Sequence, residues 1–580
     1  MPAKRLFYTF SKLRLLLVLA ILILAVLAVL IRIFYLDIHE HQFLVAQGKH
    51  ESIHYINIPP IRGNIFDRNG VPLAVSTFLD NIIFDPKVLN QYPEYWQKIA
   101  DNPLFNLNSY QVKYLITHKP NSRYQIALKN VPPQKAQQIL SLDIPGIYAE
   151  PQPTTFYPLG AETAQLVGFT NVKNDGQDGI ELSANNTLRG TMGRAENLED
   201  AIGQTIGIVA YLIHPHPGKN VTLSIDSRIQ YVAYQALSQK VTSTHAKSGS
   251  AVVLNPKTGE VLAAVSYPDF NPNSVNERVG PGVRDRAITD TFEPGSTVKV
   301  LTLAVALASG KYTPTTPINT NPGYYFINGH RVRDDANFGE IDVTTVLTKS
   351  SNVGISRIAL SLPHREVYDM FLKAGVGSPP GSDFPAEASG VIHPYDRIGR
   401  FEFATMTFGY AISMSTLQLA RMYGAIADGG IIRPVSFTKK NRPNPGTRIM
   451  SAKVARQLIN MLKTVVGPQG TGILANIPGY QVAGKTGTTH LVGPHGFYRN
   501  RFNAVFIGLV PSNNPRVVIV VRINDPQGHF NGFGGVSAAP VFAKIALACM
   551  HILGVPPTKD QIDQKLFRHQ QRWIRAISHA

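Results

Sequence analysis

Ser296 and Lys299 are the residues in this sequence whose types and spacing could together make a nucleophile. They lie in Thr291-Phe292-Glu293-Pro294-Gly295-Ser296-Thr297-Val298-Lys299, directly ahead of an apolar segment over 300–307. Pro294-Gly295 ends whatever precedes it, and Val298, Leu301, Leu303, Ala304 and Leu307 suit a helix that buries one face and stops near Gly310. Ser296 is therefore expected in a first helical turn, where free N–H groups and the positive dipole end favour negative charge developing nearby. Lys299 would project from the same side about one turn away, with its amine in reach of the serine oxygen. A serine hydroxyl attacks only when a base removes its proton. A lysine can be that base only where desolvation or nearby cations leave it partly neutral.

Ser-x-x-Lys alone is weak, because Ser436-Phe437-Thr438-Lys439 repeats the spacing in a β-branched stretch after Arg433-Pro434 that reads as strand or loop. Two companions follow Ser296. Ser350-Ser351-Asn352 falls between helical segments over 343–349 and 353–360, where a turn displays a hydroxyl and an amide. Lys485-Thr486-Gly487-Thr488 follows Gln481-Val482-Ala483-Gly484, a strand pattern that would line up a cation and hydroxyls, with glycines that let a substrate backbone approach. Ser274-Val275-Asn276 and Lys257-Thr258-Gly259 imitate these motifs but precede the serine. Only positions 296, 350 and 485 give the order Ser-x-x-Lys, Ser-x-Asn, Lys-Thr-Gly, the set found in penicillin-binding proteins and β-lactamases.

The elements that must position these residues read as α+β. Strand patterning occurs over 249–254 and 260–265 and returns over 480–485, 502–510 and 516–523; helices are expected over 226–244, capped by Asp226, and over 416–427 and 541–553. An antiparallel sheet packed with helices on both sides follows, with the serine where the helical part meets the sheet. Upstream, Ile61 to Ala74 alternates short apolar pieces around the turn signal Asn69-Gly70, and a glycine-punctuated stretch covers 160–193. Both read as parts of a mixed, β-rich, non-catalytic domain. The expected order is a cytoplasmic tail over 1–13, an anchor over 14–35, a pedestal over 36–221, a catalytic domain over 222–556 and a basic tail over 557–580. In that tail Ile562, Leu566, Trp573, Ile574 and Ile577 could share a helix face opposite Lys565, Arg568, Arg572 and Arg575, and a solvated or docked tail is the plainer alternative.

With 580 residues, 44% hydrophobic and 16% charged, the chain can bury more than one core. Residues 15–31 are unbroken apolar sequence, and 33–36 extend the run beyond Arg32 to membrane-spanning length. Lys4, Arg5, Lys12 and Arg14 precede it while Asp37 and Glu40 follow, which leaves the amino terminus in the cytoplasm and the rest exported. Arg32-Ile33-Phe34-Tyr35 offers no small-residue cleavage site, so the segment reads as a single-pass anchor. The lone Cys549 cannot form an internal disulfide and reads as a packing residue. A net charge of +18 suits anionic lipid or glycan surroundings, and nucleic acid is excluded as a partner by the exported location. No metal-ligand cluster stands out, and neither metal nor organic cofactor is expected.

On these residues the chain resembles the class B penicillin-binding proteins. Arg62-Gly63-Asn64-Ile65-Phe66-Asp67-Arg68-Asn69-Gly70 and the stretch over 160–193 look like their pedestal. Phe292-Glu293-Pro294-Gly295-Ser296-Thr297-Val298-Lys299, Lys349-Ser350-Ser351-Asn352-Val353-Gly354 and Gly484-Lys485-Thr486-Gly487-Thr488 resemble the division-specific members, which are peptidoglycan D,D-transpeptidases of the bacterial inner membrane. The resemblance runs from about residue 14 to 550; Val300 stands where that family often has proline. It implies that Ser296 attacks the penultimate D-alanine of a stem pentapeptide, with Lys299 as base, Ser350 as proton relay, Lys485 as electrostatic support and Asn352 holding the substrate amide. Thr486 and Thr488 would bind the terminal carboxylate, Gly487 would admit the substrate backbone, and the N–H groups of Ser296 and Thr488 would form the oxyanion hole. β-Lactams would be covalent inhibitors, and a membrane-embedded glycan polymerase and other division proteins would be partners. The alternatives are an elongation-type class B transpeptidase or a non-catalytic β-lactam receptor or division scaffold. A class A β-lactamase is disfavoured, because Glu366, Glu387 and Glu402 lack the Glu-x-x-Leu-Asn context.

Overall fold

The computed structural model describes residues 12–199, 205–382, 384–493, 496–528 and 530–557; the amphipathic tail expected over 558–580 lies outside the described residues. The chain forms two compact units, one of the residues up to Pro60 with Gly190–Pro217, the other of Ile61–Arg189 with Gly218 onward.

In the first unit the apolar run folds as one helix, Lys12–Ile38, with no buried residue and hydropathy 3.2, which fits a single-pass membrane anchor. A second helix, His41–Ser52, leads into the strand Ile53–Ile58, which pairs antiparallel with Gly193–Glu199, and that strand pairs with Thr205–Ile213.

The second unit begins with a small sheet built on Ile65–Phe66 and Pro72–Phe84. The Asn69-Gly70 turn joins them, with Gly70 at φ +86 and Asp67 Oδ1 accepting from the N–H groups of Asn69 and Val71. The two stretches that the sequence singles out upstream are joined by a buried ion pair. Arg62 Nε donates to Glu181 Oε2 at 2.8 Å, its Nη2 donates to the Glu181 carbonyl at 2.9 Å, and its Nη1 donates to Asn185 Oδ1 at 2.8 Å. Both side chains are 1% exposed. Removing one partner would strand the other charge in the interior, so Glu181→Ala is expected to cost about 3–5 kcal/mol. A large fall in the thermal unfolding temperature of the purified protein checks this, and an unshifted transition would show that the carbonyl and amide acceptors around Arg62 are enough to hold its charge.

The rest of the second unit includes helix α1 (Ser227–Ser243), strands β1 (Ser248–Leu254) and β2 (Val261–Tyr267), helix α2 (Lys299–Ala308), the hairpin β3 (Tyr324–Ile327) and β4 (His330–Arg333), helices α3 (Val343–Thr348) and α4 (Asn352–Leu360), strands β5 (Ala483–Gly493), β6 (Gly496–Val510) and β7 (Val517–Asn524), and helix α5 (Gly534–Ile552). Asp226 caps α1 through a bond from the Arg228 N–H, as its type and place predict. The large sheet runs β2-β1-β7-β6-β5, antiparallel throughout, with Lys485 opposite Ile507 and Val521 opposite Ala251.

Alternate residues of its strands enter different cores. Ala251, Val253, Phe506, Ile519 and Val521 pack with α1 and α5, while Val252, Leu254, Val505, Ile507, Val518 and Val520 join the core of α2, α3 and α4. Helices therefore cover both faces, as the α+β pattern predicts, and strands β1, β2 and β7 are largely apolar because neither of their faces meets water. Helix α5 is long and apolar enough to span a membrane, yet most of it is buried against the sheet, with Cys549 in that layer. Strand β5 is the edge of the sheet and the carrier of Lys-Thr-Gly.

Candidate active site

The nucleophile segment is held from two sides. Gly295–Val298 forms a 3-10 turn that runs directly into α2, so Ser296 lies in the first turn of a helical stretch, half-buried. Gly295 is at φ +56, and its N–H donates to the Gly409 carbonyl at 3.1 Å. A Cβ on Gly409 would lie 2.1 Å from the Gly295 oxygen, so the two glycines permit the strap. Ala411 N–H donates to Glu293 Oε1 at 3.1 Å and secures the same segment.

On the other side β5 lies against the turn. Thr489 Oγ1 donates to the Glu293 carbonyl at 3.1 Å, and a Cβ on Gly487 would stand 2.9 Å from the Pro294 oxygen. A Cβ on Gly295 would stand 3.6 Å from the Thr488 nitrogen, so the Thr488 backbone runs beside the residue that precedes Ser296. Among the described residues no strand pairs with the outer edge of β5, and an edge of that kind can accept an extended peptide.

Lys299, Ser350, Asn352 and Lys485 converge on one hydrogen-bonded cluster. Lys299 Nζ donates to the Ser350 carbonyl at 2.5 Å, to Asn352 Oδ1 at 2.8 Å and to Ser350 Oγ at 3.3 Å. Lys485 Nζ donates to the same Ser350 Oγ at 2.9 Å and to the Thr486 carbonyl at 3.1 Å. One hydroxyl thus bridges two amines. Ser350 adopts φ +61 on the turn between α3 and α4, an uncommon conformation for a residue with a side chain, and that turn aims both its carbonyl and its hydroxyl at Lys299.

Both lysine side chains are fully buried. Burial pushes the Lys299 amine down to about 7, against the opposing pull of Asp334 and Asp335. Lys485 is held well below the ordinary lysine range by burial first and by the neighbouring Lys299 charge second, with Asp335 opposing. Two ammonium groups on one buried hydroxyl repel, which favours a neutral amine on one of the pair.

The remaining candidates are placed as follows. Thr486 Oγ1 shares a hydrogen bond of 2.7 Å with Thr471 Oγ1, and Thr488 Oγ1 accepts from the Gly534 N–H at 3.2 Å, at the start of α5. The decoy Ser436 sits in a loop with its hydroxyl on the Thr438 carbonyl, and its lysine, Lys439, donates to the Arg68 carbonyl. Lys257-Thr258-Gly259 is the β1–β2 turn, where Gly259 takes φ +78, and Ser274 precedes a short 3-10 turn. Sequence reasoning missed Thr471, the Gly409–Ala411 strap and Asp334, which accepts from the α4 terminus. None of these carries a spacing signal, since each meets the motifs only through the fold.

The transpeptidase domain of penicillin binding proteins matches residues 249–547, and the penicillin-binding protein dimerisation domain matches residues 57–223. Peptidoglycan D,D-transpeptidase FtsI of Escherichia coli K12 is 37% identical over 532 residues, covering 91% of this chain and 89% of that protein. A probable peptidoglycan D,D-transpeptidase, PbpC of Pseudomonas aeruginosa, is 35% identical over 545 residues, 94% of this chain and 96% of that protein. The crystal structure of penicillin binding protein 3 from Mycobacterium tuberculosis, complexed with ampicillin, is similar with a TM-score of 0.67 at 27% identity, covering 87% of this chain and 98% of that one. Matches of this length take in the pedestal region and the catalytic sheet alike, and the chain belongs to the class B penicillin-binding proteins as a serine-type peptidoglycan D,D-transpeptidase of the FtsI kind.

Proposed function

We propose that the protein cross-links stem peptides of cell-wall glycan at the division septum through an acyl-enzyme on Ser296. The observation that carries this reading is the Ser350 hydroxyl, shared by the buried amines of Lys299 and Lys485 beside a helical-turn serine. Neutral Lys299 takes the Ser296 proton as the oxygen attacks the carbonyl of the penultimate D-alanine. The N–H groups of Ser296 and Thr488 hold the oxyanion. Collapse breaks the peptide bond, forms the serine ester and delivers a proton through Ser350 to the departing D-alanine amine, with Lys485 supporting that hydroxyl. Asn352 holds the substrate amide, Thr486 and Thr488 the terminal carboxylate, and Gly487 keeps the strand open to the peptide. The amine of a neighbouring stem then attacks the ester, a new peptide bond forms, and Ser296 regains its proton. A β-lactam enters the same first step and stays attached, because its ring-opened product has no leaving group to diffuse away.

In this reading residues 14–35 anchor the chain in the inner membrane with the amino terminus cytoplasmic, 36–221 form the pedestal, and 222–556 form the periplasmic transpeptidase domain. The chain works beside a membrane-embedded glycan polymerase and other division proteins. Support for the septal role comes from the FtsI relatives and from Phe292-Glu293 ahead of the nucleophile turn. Depletion tests it: filaments with unfinished septa are expected, while rounded cells would move the protein to elongation. Turnover of a depsipeptide substrate with an amine acceptor, giving the cross-linked product, is expected of the purified protein, and binding without turnover would leave a receptor.

A further inference from the structure

Asp334 follows β4 on a loop that carries no motif, yet its carboxylate is the acceptor on which the Ser350–Asn352 turn hangs. Its Oδ1 accepts from the N–H groups of Asn352 at 2.5 Å and Val353 at 2.9 Å, and its Oδ2 accepts from Ser351 Oγ at 2.6 Å. Ser351 Oγ in turn accepts from the Gly354 N–H at 2.8 Å. All three leading N–H groups of α4 are thus satisfied, two by a residue from a separate hairpin and one by the local cap. Asn352 Nδ2 also donates to the Arg333 carbonyl at 3.2 Å, so the same hairpin fixes the amide that receives Lys299. No lysine or arginine among the described residues forms an ion pair with Asp334; the carboxylate is spent on the turn.

The turn needs such a tie. Ser350 sits at positive φ with its carbonyl and hydroxyl both on Lys299, and a rotation of that peptide would take both acceptors away from the amine. We propose that Asp334 is a positioning residue of the transpeptidase reaction, fixing Ser350 and Asn352 against Lys299 from the β3–β4 hairpin. The inference rests on the assignment of Ser296 and Lys299 above and adds a residue that acts through Ser350–Asn352 rather than on the substrate. The charged groups that face the Lys299 amine are Lys485 from β5 and Asp334 and Asp335 from the loop after β4. Removing Asp334 therefore has a second consequence, since it takes away a negative charge that favours protonated Lys299.

The test uses the full chain in detergent, a fluorescent penicillin as the probe, and the variants Asp334→Ala, Asp334→Asn and Ser296→Ala. Asp334→Ala is expected to retain a cooperative unfolding transition while its acylation rate constant falls roughly 10- to 100-fold, the effect of misplacing a reacting group by about an ångström. Asp334→Asn keeps an oxygen for the two N–H groups and should recover part of the rate. Both variants should move the acid limb of the acylation profile to lower pH, because both remove the charge, whereas the partial recovery of rate in Asp334→Asn at equal unfolding temperature reports the restored acceptor. Wild-type rate and pH profile in Asp334→Ala, or a loss that only tracks the unfolded fraction in both variants, overturns the inference. Ser296→Ala separates it from the underlying reading: label retained there overturns the nucleophile assignment and this inference with it, whereas label lost there but undiminished in Asp334→Ala overturns this inference alone.

Discussion

Ser296→Ala is expected to abolish covalent labelling by penicillin and to lower transpeptidation by roughly 10⁴-fold or more, since the acyl-enzyme has no other oxygen to form on. The protein should still fold. Ser296 is half-buried, among the hydrogen bonds of the described residues none involves its hydroxyl, and the turn is held by Gly409, Ala411 and Thr489 rather than by the serine side chain. Peptide mapping makes the test specific. Cleavage of the denatured adduct after Arg286 and Lys299 frees a peptide from Ala287 to Lys299 in which Ser296 is the only serine. The mass of the drug should appear on that peptide and on none containing Ser436 or Ser274. Ser436 is tied to its own loop by the Thr438 carbonyl, and its motif partner Lys439 is turned to the Arg68 carbonyl, so that copy of the spacing has no base. Label on another peptide would mean that the order of the three motifs had selected the wrong serine.

What made the cluster legible is that each motif is local. A 3.6-residue period after Pro294-Gly295 implies a helix with Ser296 at its start, a Ser-Ser-Asn break between two apolar periods implies a turn, and alternation into Gly484 implies a strand. The partners that fix those motifs are not local. Asp334 reaches Asn352 and Ser351 through a hairpin whose own turn signal, Asn328-Gly329 at φ +47 and +81 between Tyr324–Ile327 and His330–Arg333, was available in the sequence. Nothing in that hairpin announces where it docks, because its register says nothing about α4. The strands of the active-site edge also run further than their patterning implies. Strand β5 is expected from its patterning over 480–485, with residues 485–488 displayed along it, and reaches Gly493, while β6 begins at Gly496 rather than 502. Val492 and Phe497 of that extension are 66% and 55% exposed, so no buried face imposes a period of two there. Thr471 on Thr486 is a contact between a loop and a strand that only the closed fold produces.

Lys299→Arg is expected to keep a positive charge in the site and lose acylation by roughly three orders of magnitude or more, because a guanidinium does not give up its proton in a protein. The geometry says why Lys299 needs to be neutral and can be. Two of its partners, the Ser350 carbonyl and Asn352 Oδ1, can only accept, so they take two N–H bonds in either protonation state. The third direction lies toward Ser350 Oγ at 3.3 Å; it carries a proton in the ammonium form and a lone pair in the neutral form, and a base for the Ser296 proton needs that lone pair. With its pKa pushed down to about 7 by burial, Lys299 is neutral in a large fraction of molecules at neutral pH. At the ordinary lysine value the neutral fraction at pH 7 would be about one in several thousand. The sign follows directly: lowering pH through about 7 protonates the base, so the acylation rate constant should fall on the acid side and level off above it. Lys299→Gln, which keeps donors for Ser350 and Asn352 but has no titrating amine, should be as inactive as the arginine variant while unfolding near the wild-type temperature. Acylation close to the wild-type rate in either variant would take Lys299 out of the chemistry and leave Lys485, the other buried amine on the Ser350 hydroxyl, as the base.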